Sequence, residues 1–379
     1  MTACLATIPD VIKYIGSKRT LVSRITDIAG RIPCVETACD IFTGTTRVAQ
    51  GLKQAGLRVT TNDMATYSEV LGLCYIEANR SELDLESLHE KLRYLESLPG
   101  EDGYFTETFC EQSRYFQPHN GRRVDAIRPK IDEIAENRVE WGILLTSLME
   151  AADRVDSTCG LQMAYLKQWA SRSFNQLELR LPNMHDGAGE ALRGDANELA
   201  PKLAGMVDLV YIDPPYNQHS YYSNYHIWET LVRNDSPEAY GIACKRMDCK
   251  TSKSEYNYKH RAWDAFSDLI RSIDVPYMMV SFNNEGYFTA DQIVSLLAEK
   301  GETAFVPVDF KRYVGAQIGI HNLKGEKVGE VSHLRNKEYL FLVGDGSTDI
   351  MDGVRAEVEM AEGTKLKMNA DQLTLEPFV

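Results

Sequence analysis

Residues 207–216 read Val-Asp-Leu-Val-Tyr-Ile-Asp-Pro-Pro-Tyr, so a carboxylate, two prolines and an aromatic ring close a short apolar run. Val207, Leu209, Val210 and Ile212 are apolar, and the run stops at a double proline, which predicts a buried strand rather than a helix. Asp213 then sits at the carboxyl end of a strand, where open α/β sheets place their ligands. Pro214 and Pro215 cannot continue a ladder and stiffen the loop, so Tyr216 projects from a rigid turn beside the carboxylate. A fixed acceptor next to an aromatic face can clamp a planar base that bears an exocyclic amine. The same four residues also fit a strand that simply ends in a proline turn.

Other segments have to separate these readings. Asp40-Ile-Phe-Thr-Gly-Thr occupies 40–45, at the end of a predicted strand and the opening of a helix. Gly44 lets a ligand approach the backbone, and a helix N-terminus offers free N–H groups. The spacing does not match G-x-G-x-x-G, which disfavours a nicotinamide dinucleotide. Asp63 ends the next strand, where nucleotide-binding β-α-β units place an acid on the ribose hydroxyls, although plain architecture explains it without a ligand. Lys13-Tyr14-Ile15-Gly16-Ser17-Lys18 puts a glycine between two lysines, a setting for a carboxylate or a solvated basic loop. Asp195, in Gly194-Asp195-Ala196, can accept from an adenine amine or cap a helix over 196–203.

The elements that must position these residues follow from periodicity. Leu21, Val22, Ile25, Ile28 and Ala29 predict an amphipathic helix within 10–30. A strand over 33–41, a helix over 44–55 closed by Gly56, and a strand over 57–61 form a β-α-β unit and imply a parallel sheet. Between 66 and 185 the pattern turns helical, with apolar spacing in 84–98, 124–136, 140–152 and 161–170. No Gly/Ser/Pro linker brackets this stretch, so it reads as an insertion into the α/β domain. Strand-like runs return at 207–212, 275–282, 303–310 and 338–343, with a long hairpin or loop over 313–337.

The 379 residues carry a formal net charge of −14, with 44% hydrophobic and 25% charged residues, an ordinary soluble composition. No apolar run approaches the ~20 residues that span a bilayer. Met1 to Lys13 lacks a secretory pattern, and the eight cysteines include no C-x-x-C pair. The expectation is a cytoplasmic protein with free thiols and no metal site. The net charge alone argues against nucleic acid. Its distribution does not: 245–261 holds six basic and two acidic residues, 311–337 six and two, and 114–130 five and one. Acid concentrates in 81–102 and 345–379.

Taken in order, Lys-x-x-Gly-x-Lys, Asp-x-Phe-x-Gly, Asn62-Asp63, a long insertion, Gly194-Asp195 and Asp213-Pro-Pro-Tyr resemble the Dam-type N6-adenine DNA methyltransferases of restriction–modification type. The run from Asp213 to His226, the Val280-Ser-Phe-Asn-Asn-Glu-Gly segment and Glu338-Tyr-Leu-Phe extend the likeness over roughly 10–65 and 190–343. The resemblance implies a Rossmann-like class I methyltransferase: an α/β fold with a mixed seven-stranded sheet. Residues 1–65 and 190–345 would form the catalytic domain, 66–189 a helical target-recognition insertion, and 346–379 an acidic tail. It implies S-adenosylmethionine as cofactor, with Asp40, Phe42, Gly44 and Thr45 lining it, Asp63 on its ribose, Asp195 and Ala196 near its adenine, and Tyr14, Gly16 and Lys18 at its methionine end. Thr45-Thr46 departs from the small residues usual in this loop.

Asp213, Pro214, Pro215 and Tyr216 would be catalytic, on an adenine flipped out of double-stranded DNA. Candidate DNA contacts are Arg122, Arg123 and Arg128 in the insertion, Tyr222 and Tyr225 after the catalytic loop, Lys245, Arg246, Lys253, Lys259 and Arg261, and Lys311 and Arg312. A cognate restriction endonuclease is the expected protein partner. The alternatives are an N4-cytosine DNA methyltransferase, which uses Ser where Asp213 stands, an RNA amine methyltransferase, and an inactive DNA-binding relative.

Overall fold

Apolar side chains alternate between two faces along the central strands, and this alternation builds the architecture. The computed structural model describes residues 12–16, 18–215, 217–311, 320–321, 327–329, 335–358 and 360. Within them β1 (Thr37–Asp40), β2 (Arg58–Asp63), β3 (Gly189–Arg193), β4 (Leu209–Ile212), β5 (Tyr277–Asn283), β6 (Thr303–Lys311) and β7 (Arg335–Val343) form one sheet in the order β3-β2-β1-β4-β5-β7-β6. All neighbours are parallel except β7, which runs antiparallel to both β5 and β6. This is the mixed seven-stranded sheet that the sequence resemblance implies.

Ala38, Leu209, Tyr211, Met279, Leu340 and Leu342 face a core with α1 (Val22–Arg31), α2 (Arg47–Gln54) and α3 (Thr66–Gly72). Cys39, Val210, Ile212, Met278, Val280 and Phe341 face the opposite core, with α8 (Ala262–Ser272) and α9 (Ala290–Leu297). The first core runs without interruption into α4 (Leu85–Ser97), α5 (Pro118–Ile134), α6 (Arg138–Arg154) and α7 (His226–Arg233). The helical stretch is thus packed onto the sheet layer. Among the described residues no helix is long and apolar enough to cross a membrane.

Helix starts follow their caps. Asp84 accepts from the Ser87 amide at 3.0 Å and Asn137 from the Glu140 amide at 2.9 Å, which opens α4 and α6 where periodicity places them. Other expectations shift. The helix after Gly44 begins at Arg47, because Thr46 is left-handed at φ 61°. Residues 161–170 form no helix and run as irregular chain, held by Gln162. Strand β3 has no counterpart among the expected elements; its five residues, GEALR, are half polar, as suits a sheet edge. The helix over 196–203 is a short α-turn at Ala196–Leu199 followed by a 3₁₀ turn at Ala200–Lys202. Residues 347–358 are helical rather than a featureless tail, burying Met351 and Val354 beside α1.

Candidate active site

The carboxyl ends of β1, β2 and β4 deliver Asp40, Asp63 and Asp213 to one cavity of about 320 Å³. It opens where the strand order reverses beside β1, the position at which open α/β sheets bind ligands. Its wall includes Tyr14, Gly16, Lys18, Phe42, Gly44, Thr45, Asp195, Ala196, Pro214 and Pro215, so every described candidate for cofactor or catalysis lines it. Tyr216 lies outside the described residues.

Asp40 is 1% exposed. Its Oδ2 accepts from Thr43 Oγ1 at 3.1 Å, and its Oδ1 is buried with no hydrogen-bond partner. Burial pushes its carboxyl up to about 7, and Asp213 and Asp63 add to the rise by charge repulsion. Asp63 bridges the wall: Oδ2 accepts from the Gly44 amide and Oδ1 from the Ala65 amide, each at 3.0 Å. Burial raises it as well, against the pull of these backbone bonds. Asp195 Oδ1 accepts from the Asn197 amide at 2.8 Å, so it caps the turn after β3 while lining the cavity.

A stack of tyrosines closes one side. Tyr14 lies between Tyr225, at 4.3 Å between centroids, and Tyr221, at 5.3 Å. Gly16, at φ +81°, makes room for it: a Cβ there would stand 2.5 Å from Tyr221 Oη. Gly44, at φ +50°, presents its backbone beside the Tyr14 ring. Phe42 packs edge-on to Tyr256 at 5.2 Å on the opposite wall.

Lys18 reaches Asp213 at the end of β4. Its Nζ lies 3.1 Å from Asp213 Oδ1 and also pairs with Glu338 of β7. Sequence reasoning places Glu338 in a strand and misses its part in the site. Its signal is a single acid ahead of the apolar Tyr-Leu-Phe-Leu-Val run. Asn257 is missed too; it lines the cavity and donates to the carbonyls of Asn217 at 2.9 Å and His219 at 3.2 Å, shaping the loop after Pro215.

Several candidate DNA contacts face inward. Arg128 is buried and donates to the carbonyls of Leu231 at 2.8 Å and Val232 at 2.7 Å, closing the end of α7. Arg246 is 1% exposed and held by Asp235 and Asp248. Tyr225 is buried in the tyrosine stack. These three serve the fold and present no surface to DNA. Arg123 donates to carbonyls at the end of α4, Glu96 among them at 2.9 Å. Arg122 is exposed and pairs with Asp102 at 2.6 Å. Tyr222 lines the cavity and donates to Asp248 at 3.0 Å. Lys253, Lys259 and Arg261 are exposed, with Arg261 pairing with Glu255 at 3.1 Å; Lys245 is half-buried. Lys311 ends β6, and Arg312 lies outside the described residues.

The sheet order and this cavity are those of a Rossmann-like α/β fold that holds a ligand at the carboxyl ends of its strands. A family model described as D12 class N6 adenine-specific DNA methyltransferase matches residues 14–282. The chain is 35% identical over 304 residues to the modification methylase StsI of Streptococcus sanguinis, covering 76% of this chain and 46% of that one. It is 30% identical over 340 residues to the type II methyltransferase M.NlaIII of Neisseria lactamica, covering 86% and 99%. It is 32% identical over 351 residues to the type II methyltransferase M.FokI of Planomicrobium okeanokoites, covering 87% and 52%. The chain thus spans about half the length of StsI and M.FokI and almost all of M.NlaIII. It belongs to the D12 class of N6 adenine-specific DNA methyltransferases.

Proposed function

We propose that the chain methylates the N6 amine of an adenine flipped out of double-stranded DNA, with residues 66–189 contributing to target recognition. One observation carries the reading. The unpartnered carboxylate oxygen of Asp40 and the acceptor pair formed by Asp213 and the Pro214 carbonyl share one cavity. A buried acid oxygen without a donor calls for a cationic group, and the ammonium of S-adenosylmethionine is one. Gly44 offers close backbone approach, and Asp63, Asp195 and Ala196 line the side suited to a nucleoside. S-adenosylmethionine supplies an electrophilic methyl group on a sulfonium.

The protein's share is to prepare the amine. An adenine amine is a weak nucleophile because its lone pair is delocalised into the ring. Asp213 and the Pro214 carbonyl accept its two hydrogens, draw the nitrogen toward tetrahedral geometry and free the lone pair. Tyr216 supplies the face on which the flipped base stacks. Holding both partners in register is worth roughly 7–11 kcal/mol in well-oriented reactions. No covalent enzyme intermediate is required. The names of the relatives, modification methylase and type II methyltransferase, support a place in restriction–modification, with an endonuclease that reads the same site as partner.

The test is transfer from methyl-labelled S-adenosylmethionine to duplex DNA, followed by digestion to nucleosides. Label in N6-methyladenine is expected. Label in N4-methylcytosine, or preferential labelling of RNA, contradicts the reading.

A further inference from the structure

Lys18, Asp213 and Glu338 come from three segments far apart in sequence and meet beside the cavity, which Lys18 and Asp213 line. Their side chains are 7%, 17% and 2% exposed. Lys18 Nζ lies 3.1 Å from Asp213 Oδ1 and donates to Glu338 Oε1. Glu338 Oε1 also accepts from Ser281 Oγ at 2.6 Å, so the acid is fixed from β5. Glu338 stands opposite Asn283 of β5 and Val308 of β6, in the interior of the sheet. Burying a carboxylate there costs several kcal/mol, and an apolar residue of similar size would suit the fold as well or better. Folding alone therefore gives no reason for an acid at this position.

Its partner gives one. Lysine carries three donors on a flexible stem, and alone it holds no fixed direction. With Glu338 on one donor, the ammonium is pinned where it forms an ion pair with Asp213 Oδ1 at 3.1 Å. We propose that Glu338 is a positioning residue for methyl transfer: it anchors Lys18, and Lys18 fixes the direction and the negative charge of the Asp213 carboxylate that accepts from the amine. This rests on the adenine-N6 reading above and assigns Lys18 to the catalytic carboxylate rather than to the cofactor.

The charges around Asp213 make the proposal testable by pH. Lys18 faces it from the first loop, Glu338 from β7, Asp40 from β1 and Tyr211 from β4. Burial raises the Asp213 carboxyl to about 7; Lys18 opposes the rise and Glu338 adds to it. Glu338→Gln keeps the shape and removes a negative neighbour, so Asp213 should ionise at lower pH. Lys18→Met removes the cation, so Asp213 should ionise at higher pH.

The experiment is the pH profile of kcat/KM for methyl transfer to duplex DNA, with cofactor affinity measured by calorimetry. The acid limb should move down by about one unit in Glu338→Gln and up by at least as much in Lys18→Met. Glu338→Leu should lower the plateau by roughly tenfold or more, with Glu338→Gln losing less and cofactor affinity unchanged in both. An active wild type with an unmoved limb in Glu338→Gln overturns the proposal alone. So does a loss of cofactor affinity that matches the loss of rate. A wild type that methylates no adenine overturns the reading beneath it.

Discussion

Asp40 is buried and Asp213 nearly so, both with carboxyls raised to about 7, and the tasks proposed for them differ with their neighbours. Asp213 has a lysine; Asp40 Oδ1 has no partner. A raised carboxyl is protonated below its folded value, so the anion each task needs is lost as pH falls through about 7. Cofactor affinity should therefore weaken below that pH, with proton release on binding detectable by calorimetry in buffers of different ionisation enthalpy. Asp40→Asn should lose affinity by roughly tenfold or more. The same variant should melt at or above the wild-type temperature near neutral pH, because it removes a charge that burial penalises. Tight binding together with lower stability in Asp40→Asn would contradict this account. These acids are legible in the sequence because each closes a strand within a short motif. Asn257 and Glu338 are not, since only the fold brings Asn257 to the cavity and Glu338 to Lys18.

Buried polar residues explain why helices end where they do, and why some basic residues read from sequence as DNA contacts turn inward. Arg128 follows Val124 and Ile127 and precedes Ile131, all buried, so it sits on the apolar stripe of α5. Its position on that stripe, more than its charge, is the clue to its role. Arg128→Ala strips two carbonyls at the end of α7 of their donor and should cost about 1–3 kcal/mol in denaturant unfolding, while the salt dependence of DNA binding stays as in the wild type. Glu229 does the reverse at the start of α3, accepting from the Thr66 amide at 2.9 Å, Thr66 Oγ1 at 2.7 Å and the Tyr67 amide at 3.3 Å. Glu229→Ala should destabilise by a similar amount, and a neutral result in either variant would show that water replaces the missing partner. The capped helices α4 and α6 are readable from sequence. The irregular run over 161–170 is not, because its anchor is tertiary: the Gln162 side chain accepts from the Ile227 amide at 2.8 Å, and its carbonyl meets His226 Nε2 at 2.9 Å.

For the whole molecule, a net charge of −14 has to coexist with the proposed duplex-DNA substrate. With Arg128 and Arg246 inside the fold, the exposed cations near the cavity include Arg193 and Arg233, which line it, and Lys253, Lys259 and Arg261 of the 245–261 segment, whose Ser252, Ser254 and Asn257 line it too. Replacing Lys253 and Lys259 with alanine should lower the slope of log affinity against log salt by about one for each phosphate that is no longer neutralised, leaving the methylated base unchanged. An unaltered slope would move the DNA path elsewhere. The central claim concerns Asp213 and its base, and genome-wide mapping of modified bases in a methylation-free host tests it most directly. Wild-type protein should leave N6-methyladenine within one short sequence context, and Asp213→Ala, still able to bind cofactor, should leave none. Modified adenine that persists in Asp213→Ala, or its absence with the wild type, would contradict the account.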